Sequence, residues 1–387
     1  MPNRCFNNQA PPLGGASDGA SHGSGGASYG LRNAPYGSGG ATYGVGGTAN
    51  SCDSVPYGQP MSRNTDMNRD QWPPHMKPTG KRRASVVTFI APIAFMILHY
   101  AVLSVMAFVR VFSFMRVYAA QKGISYGDLM LELKSKDAMT ELIAKSDAAN
   151  YASFYTMLIV IPLYLVYLYL RKKRSSSILL TRRVSSLQLL LSLFVIFAAM
   201  GLTQLWMLGI QEISQSWPWL MEKLHSYLDA VSTFETAPSS LFFRILVIAI
   251  LVPIGEELLF RGIVQGEIRR AFGSTAAVIA TTLLFAFFHL DVIQSSYVVI
   301  AGLVISITYE LTEQVAIPMI MHMAFNFIGS GVLSQLMGVG EAGDRIILYV
   351  MFGFIFPGIA SIFFLKRIHK NKQASEQDAA FPVAKGW

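Results

Sequence analysis

Charge is scarce in this chain: 14% of its 387 residues are Asp, Glu, Lys or Arg, against about 25% in a soluble domain. With 52% hydrophobic residues, that scarcity excludes an ordinary soluble globular protein. Cysteine is nearly absent. Cys5 and Cys52 are the only two, so a disulfide framework is excluded, and the reducing compartment expected for the segment that carries them argues against a structural disulfide or zinc site there. The basic n-region and short apolar h-region of a signal peptide are not found at the start. Aliphatic residues are almost absent from the first 80 positions, where Gly25-Gly26-Ala27-Ser28-Tyr29-Gly30 and Gly39-Gly40-Ala41-Thr42-Tyr43-Gly44 repeat in a Gly/Ser/Asn/Pro-rich background. Such a segment buries too little apolar surface to offset its chain entropy and is expected to be a disordered tail.

What is present is long apolar runs. A helix needs roughly 20 apolar residues to span a bilayer. The runs are Val86 to Val109, Ala152 to Leu170, Leu187 to Ile210, Leu241 to Val264, Thr275 to His289, Val292 to Tyr309, Val315 to Leu333 and Ile346 to Leu365, which makes eight candidate helices. The expected fold is an all-α polytopic membrane protein with its site inside the helical bundle. Its parts are a tail (1–80), the first three membrane helices (81–240), a core (241–365) and a basic C-terminal tail (366–387).

Basic residues set the orientation. Lys81 to Arg83, Arg171 to Arg174, Arg182, Arg183, Arg269, Arg270, Lys366, Arg367, Lys370 and Lys372 flank alternate helix ends, which places both termini on the cytoplasmic side, with the plasma membrane as the expected location. The stretch Gln211 to Ser240 holds one Lys and four acids and fits the opposite side, where Trp206, Trp217 and Trp219 suit an interfacial belt. The net charge of +8 then reports topology and attraction to anionic lipid rather than nucleic-acid binding. Between the first two helices, Ser125 to Asn150 is predicted as one amphipathic helix outside the membrane, with Leu129, Leu133, Met139, Leu142 and Ile143 on its apolar face.

Three polar constellations interrupt the apolar helices of the core. Glu256, Glu257 and Arg261 come first, then Phe285 with His289, then His322 with Asn326. Ionisable residues are costly in hydrocarbon and mark functional sites there by default. Glu257 and Arg261, four residues apart, share a helix face and can pair. Glu256 points about 100° away and is free to face a cavity as a general base. Pro253 removes an intrahelical hydrogen bond and is predicted to kink this helix. His322 and Asn326 share a face one turn apart. Singly, His289 reads equally well as an interfacial histidine, and the His322–Asn326 pair as interhelical glue. Together a base, two imidazoles and an amide can activate a water and hold an oxyanion.

Glu256-Glu257-Leu258-Leu259-Phe260-Arg261 matches EExxxR, Phe285 to His289 matches FxxxH, and His322 to Asn326 matches HxxxN. In that order, in apolar helices, these motifs resemble the CPBP intramembrane proteases, which include type II CAAX prenyl endopeptidases and bacteriocin-processing and self-immunity proteins. The resemblance covers about residues 241 to 365. It implies a membrane-embedded endopeptidase in which Glu256 and His289 activate water, His322 and Asn326 form an oxyanion hole, and Glu257, Arg261 and Phe285 support them. It also implies a membrane-associated protein or peptide as substrate.

Two mechanisms stay open. Glu256, His289 and His322 could form a zinc site with an open fourth position, yet the HExxH helix of common zinc proteases is missing and an amide such as Asn326 is an uncommon zinc ligand. The metal-independent mechanism, with no cofactor, is the favoured expectation. A non-catalytic immunity or binding protein using the same pocket is the alternative function. A transporter is disfavoured, because matched repeats and broken helices are not found. Oligomeric state is not set by the sequence.

Overall fold

The computed structural model describes residues 84–174, 177–235 and 238–380. The Gly-rich tail with Cys5 and Cys52, and the flank Lys81 to Arg83, lie outside the described residues. Those described are mostly helical, with one isolated bridge between Thr181 and Gln314 and no strand.

The long apolar runs become long helices: α1 (Val86–Lys122), α4 (Ala148–Arg174), α5 (Ser186–Ser214) and α11 (Val292–Thr312) are each apolar and long enough to cross a membrane. Beyond the short α13 (Val332–Met337), α14 (Gly340–Gly353) and α15 (Ile355–Ala380) meet at a bend of 41° and together make a fifth candidate. Two short apolar helices, α10 (Ser274–Phe287) and α12 (Ala316–Gly329), fall below that length.

Sequence and structure differ at several ends. The run ending at Val109 continues to Lys122, where Gly123 at φ 68° terminates α1; that conformation is easy for glycine. The single amphipathic helix expected over 125–150 is two helices, α2 (Tyr126–Glu132) and α3 (Lys136–Ser146), separated at Leu133–Ser135. The break changes the face: Leu129, Leu133 and Leu142 are buried against Met115, Tyr118 and Ala119 of α1, while Met139 and Ile143 are exposed. The acidic stretch read as a connection contains α6 (Pro218–Glu235). Its Leu224, Tyr227, Leu228 and Val231 follow the three- and four-residue spacing of a helix face. Beyond Leu365 the chain stays helical to Ala380, tied back by an Arg182–Glu376 ion pair of 2.8 Å.

Two ends of the bundle can be told apart by their polar contacts. At one, Arg182 N–H donates to the Glu313 carbonyl at 2.8 Å, Arg171 Nη2 donates to Glu267 Oε2 at 2.8 Å, and Arg269 pairs with Glu310 at 2.8 Å. At the other, Asn150 Nδ2 donates to Ser239 Oγ, Trp206 Nε1 to Ser296 Oγ, and the hydroxyls of Tyr227 and Tyr297 meet at 2.9 Å. Arg171, Arg182 and Arg269 thus lie at the first end.

The segment that carries the acids is not a regular helix. It runs as α7 (Leu241–Arg244), a π-helical turn (Ile245–Leu251), α8 (Val252–Glu257), a second π turn (Leu258–Val264) and α9 (Gln265–Phe272). Each π turn swells the helix and rotates the residues C-terminal to it. The second half of the segment is the centre of the main core: Leu258, Leu259, Phe260, Ile263 and Val264 pack on Met157, Val160, Tyr164 and Leu168 of α4 and on Phe285 and Phe288. A second core joins Val195, Ile196 and Ala199 of α5 to Ile305, Ile317, Met321 and Leu365. There α15 approaches so closely that a Cβ on Gly358 would lie 2.2 Å from the Ala198 Cβ.

Candidate active site

Glu257 and Arg261 pair through Oε1 and Nη1 at 3.0 Å, as the four-residue spacing requires, and neither has exposed surface. Arg261 Nη2 also donates to the Gly302 carbonyl at 3.2 Å, and its guanidinium lies 4.7 Å from the centre of the Phe285 ring. Gly302 is small by necessity: a Cβ there would sit 2.9 Å from Phe285 Cδ1. The arginine is thus held by an acid, a carbonyl and a ring face, and its charge is spent inside the scaffold.

Glu257 does more than the sequence indicated. The same Oε1 accepts a second hydrogen bond, 2.8 Å long, from Nδ1 of His322. This fixes the imidazole so that its other nitrogen, Nε2, faces Glu256 Oε2 at 3.8 Å. The neighbouring acids therefore bracket one histidine. A carboxylate only accepts, so His322 carries its proton at Nδ1, and a donor at Nε2 requires a ring protonated on both nitrogens.

Asn326, one turn on, is explained by Pro253. In the π turn the Val252 N–H reaches back to the Val247 carbonyl, so the Ile248 carbonyl would look to residue 253, which is proline and has no N–H. Asn326 Nδ2 supplies the missing donor at 2.9 Å. The kink expected from Pro253 is thus a widened turn with one orphaned carbonyl, closed by a side chain from α12. One N–H of the Asn326 amide is committed to the backbone, leaving its second N–H and its oxygen.

His289 Nδ1 lies 2.9 Å from the Phe285 carbonyl, which can only accept, so Nδ1 is the protonated nitrogen and Nε2 is free as a base or ligand. Among the described residues no hydrogen bond or ion pair joins His289 to a carboxylate. Phe285 is the hub of the cluster: His289 and His322 both meet its ring edge-on, with centroids 5.1 and 5.7 Å away.

Glu256, Phe285, His289, His322 and Asn326 line one cavity of about 830 Å³, and Glu257 and Arg261 lie behind its wall. The structure thus gathers five of the seven residues that the motifs nominate around a shared space and sets the other two as their support. Among the described residues no three His, Cys, Asp or Glu side chains are grouped to hold a metal ion. The Glu256, His289 and His322 trio does not meet that geometry.

The sequence reading missed three contributors. α6 roofs the cavity through Leu224, Tyr227 and Val231, which its helical spacing could have indicated. Gly302 had a weaker signal as a small residue in an apolar helix. The Tyr227–Tyr297 contact had none.

A multi-pass helical bundle with a buried acid–arginine–histidine cluster opening on an internal cavity defines an integral membrane protein with an intramembrane polar site. Residues 238–328, which contain all three motifs, match the family model described as type II CAAX prenyl endopeptidase, Rce1-like. That match supports the CPBP/CAAX protease family and, in general terms, a CAAX-protease-like intramembrane endopeptidase. No curated protein and no solved structure matches the chain significantly.

Proposed function

We propose that the protein is an intramembrane endopeptidase that hydrolyses peptide bonds of membrane-associated proteins or peptides within the cavity, without a metal. The observation that carries the reading is the bracketing of His322 by Glu257 and Glu256 at the wall of that cavity. Glu256 takes a proton from water as its oxygen attacks the carbonyl carbon, assisted by His289 through Nε2. His322 and the remaining N–H of Asn326 stabilise the oxyanion that forms. The proton held on Glu256 then passes to the amide nitrogen as the C–N bond breaks, giving a carboxylic acid and a free amine. Glu257 and Arg261 hold His322 in place, and Phe285 sets the spacing of the two imidazoles.

In this reading the chain crosses the plasma membrane eight times, with both termini cytoplasmic. The gathering of the Arg171–Glu267, Arg182–Glu313 and Arg269–Glu310 pairs at one end of the bundle supports that path. Maleimide labelling of a cysteine at Ser375 from outside intact cells overturns it; labelling only after permeabilisation is the expected result.

The activity is tested by comparing new protein N-termini in membranes from cells carrying the wild type with those carrying Glu256→Gln at equal protein level. Wild-type-specific termini are expected. Identical sets of termini, with an intact phenotype in the variant, favour the binding or immunity function. Purified protein is expected to cleave in a strong chelator; one equivalent of zinc, lost together with activity, overturns the metal-independent mechanism.

A further inference from the structure

One ionisable side chain at membrane depth takes no part in the proposed hydrolysis. His99 stands on α1 about 20 Å from the start of the helix at Val86, at 1.5 Å per residue, within a hydrocarbon core about 30 Å thick. Ile93 and Ile97 are exposed on the same helix, whereas His99 is turned inward and buried. A histidine at that depth marks function by default, and its partners say which. Its Nδ1 lies 3.0 Å from the hydroxyl of Tyr164 on α4, a residue with no exposed surface. Tyr164 lies one turn beyond Ile161, and Met157 and Ile161 are the side chains that a Cβ on Gly255 would meet. The pair therefore sits beside the turn that carries Glu256, whose charge reaches His99, Tyr100 and Tyr164.

The route from His99 to the cavity runs through Phe288. The Phe288 ring meets His99 edge-on with centroids 5.1 Å apart, Phe260 edge-on at 5.0 Å and Tyr100 at 4.5 Å, so three rings enclose it. The next residue is His289, just past the end of α10 at Phe287. There the helix is already unwinding: the His289 N–H donates to the Ala286 carbonyl at 3.2 Å, and Leu290 turns to φ 53°. His289 is thus held by its own Nδ1 contact with the Phe285 carbonyl and by the seat of Phe288. Packing alone does not require a polar group at position 99, since an apolar ring fills similar volume without a polar atom to satisfy in hydrocarbon. What the Tyr164 bond adds is orientation, because it fixes the plane of the ring against which Phe288 rests. We infer that His99, locked by Tyr164, is a positioning residue of the site, which sets through Phe288 where the His289 imidazole stands on the cavity wall. Its effect on turnover rests on the endopeptidase reading, while the position of His289 is a property of the protein without substrate.

Tyr164→Phe removes one oxygen, and His99→Phe keeps a ring while losing the bond, so both leave the packing nearly intact. With a fluorogenic peptide spanning one of the wild-type-specific termini, each is expected to lower kcat about 10-fold with KM within about twofold, since a small misplacement of a reacting group slows chemistry without touching binding. In a His289→Ala background neither should lower the residual kcat further, because the group they position is gone. A second readout needs no substrate. The Cε1 NMR signal of His289 in isotopically labelled protein in detergent, assigned by its loss in His289→Ala, is expected to move in both variants. An unmoved His289 signal, wild-type kcat in Tyr164→Phe, or a loss of kcat that persists in full in the His289→Ala background overturns the inference. Should His99→Phe fail to fold, Tyr164→Phe decides alone. A moved signal in a protein that shows no cleavage abolished by Glu256→Gln leaves the positioning of His289 standing and overturns the endopeptidase reading instead.

Discussion

Glu257 and Glu267 are both fully buried carboxylates on one continuous helical segment, and each faces an arginine. Glu267 is closed off: Oε1 accepts from Arg171 Nε and, at 2.8 Å, from the Tyr167 hydroxyl, while Oε2 accepts from Arg171 Nη2 at 2.8 Å. Both oxygens are used, in the bidentate pattern that binds arginine best. Glu257 loads a single oxygen with two donors, Arg261 and His322, and its Oε2 has no hydrogen-bond partner. The first arrangement ends in itself. The second passes its constraint to an imidazole at a cavity wall. Incomplete pairing beside a cavity, more than buried charge alone, separates the candidate site from the staple at the basic end.

The sharpest way to break this contrast is at Glu256. Glu256→Gln is expected to lower turnover by about 10³-fold or more with the protein inserted and stable, since the amide keeps the shape and cannot accept a proton. Turnover near the wild-type rate removes the carboxylate from the chemistry.

The paired carboxylates test the contrast directly. Arg261→Ala takes from the fully buried Glu257 its cation and is expected to cost about 3–5 kcal/mol of stability, read by thermal unfolding in detergent, whereas Glu267→Ala removes a partner of the partly exposed Arg171 and is expected to cost less. Only Arg261→Ala should also abolish turnover by the fraction that stays folded. Loss of turnover in both variants would erase the distinction.

His322→Ala is expected to reduce kcat by about 10²–10³ with KM nearly unchanged, because its donor serves the oxyanion and not the bound substrate. A rise in KM alone would reassign it to binding.

The smallest effect on stability lies at Asn326. Asn326→Leu strands the Ile248 carbonyl and is expected to cost about 1–3 kcal/mol, with faster hydrogen exchange around the first π turn. Unchanged unfolding and exchange would show that another group satisfies that carbonyl.

Much of this arrangement was legible in the sequence. The four-residue spacing of Glu257 and Arg261 dictated their pairing, because that effect is local in sequence. The link from Glu257 to His322, 65 positions apart, depends on how α12 packs against the acid-bearing helix, which no local pattern encodes. The π turns were equally hidden: Pro253 announced a lost hydrogen bond, but whether the helix bends or widens is decided by a donor such as Asn326 arriving from elsewhere. The split of the 125–150 segment was missed because its apolar spacing stays nearly helical across Leu133–Ser135.

At 14 residues, α10 is about 21 Å long at 1.5 Å per residue, against a hydrocarbon core of about 30 Å. Ile279, Leu283 and Phe287 form its exposed stripe, a wall that is too short for full-length acyl chains in a bilayer, on the very helix that carries Phe285. Hydrophobic mismatch of this kind thins the adjacent bilayer at a cost of fractions of a kcal/mol per Å. Short-chain lipids are therefore expected to match α10 better than long-chain or sterol-rich membranes.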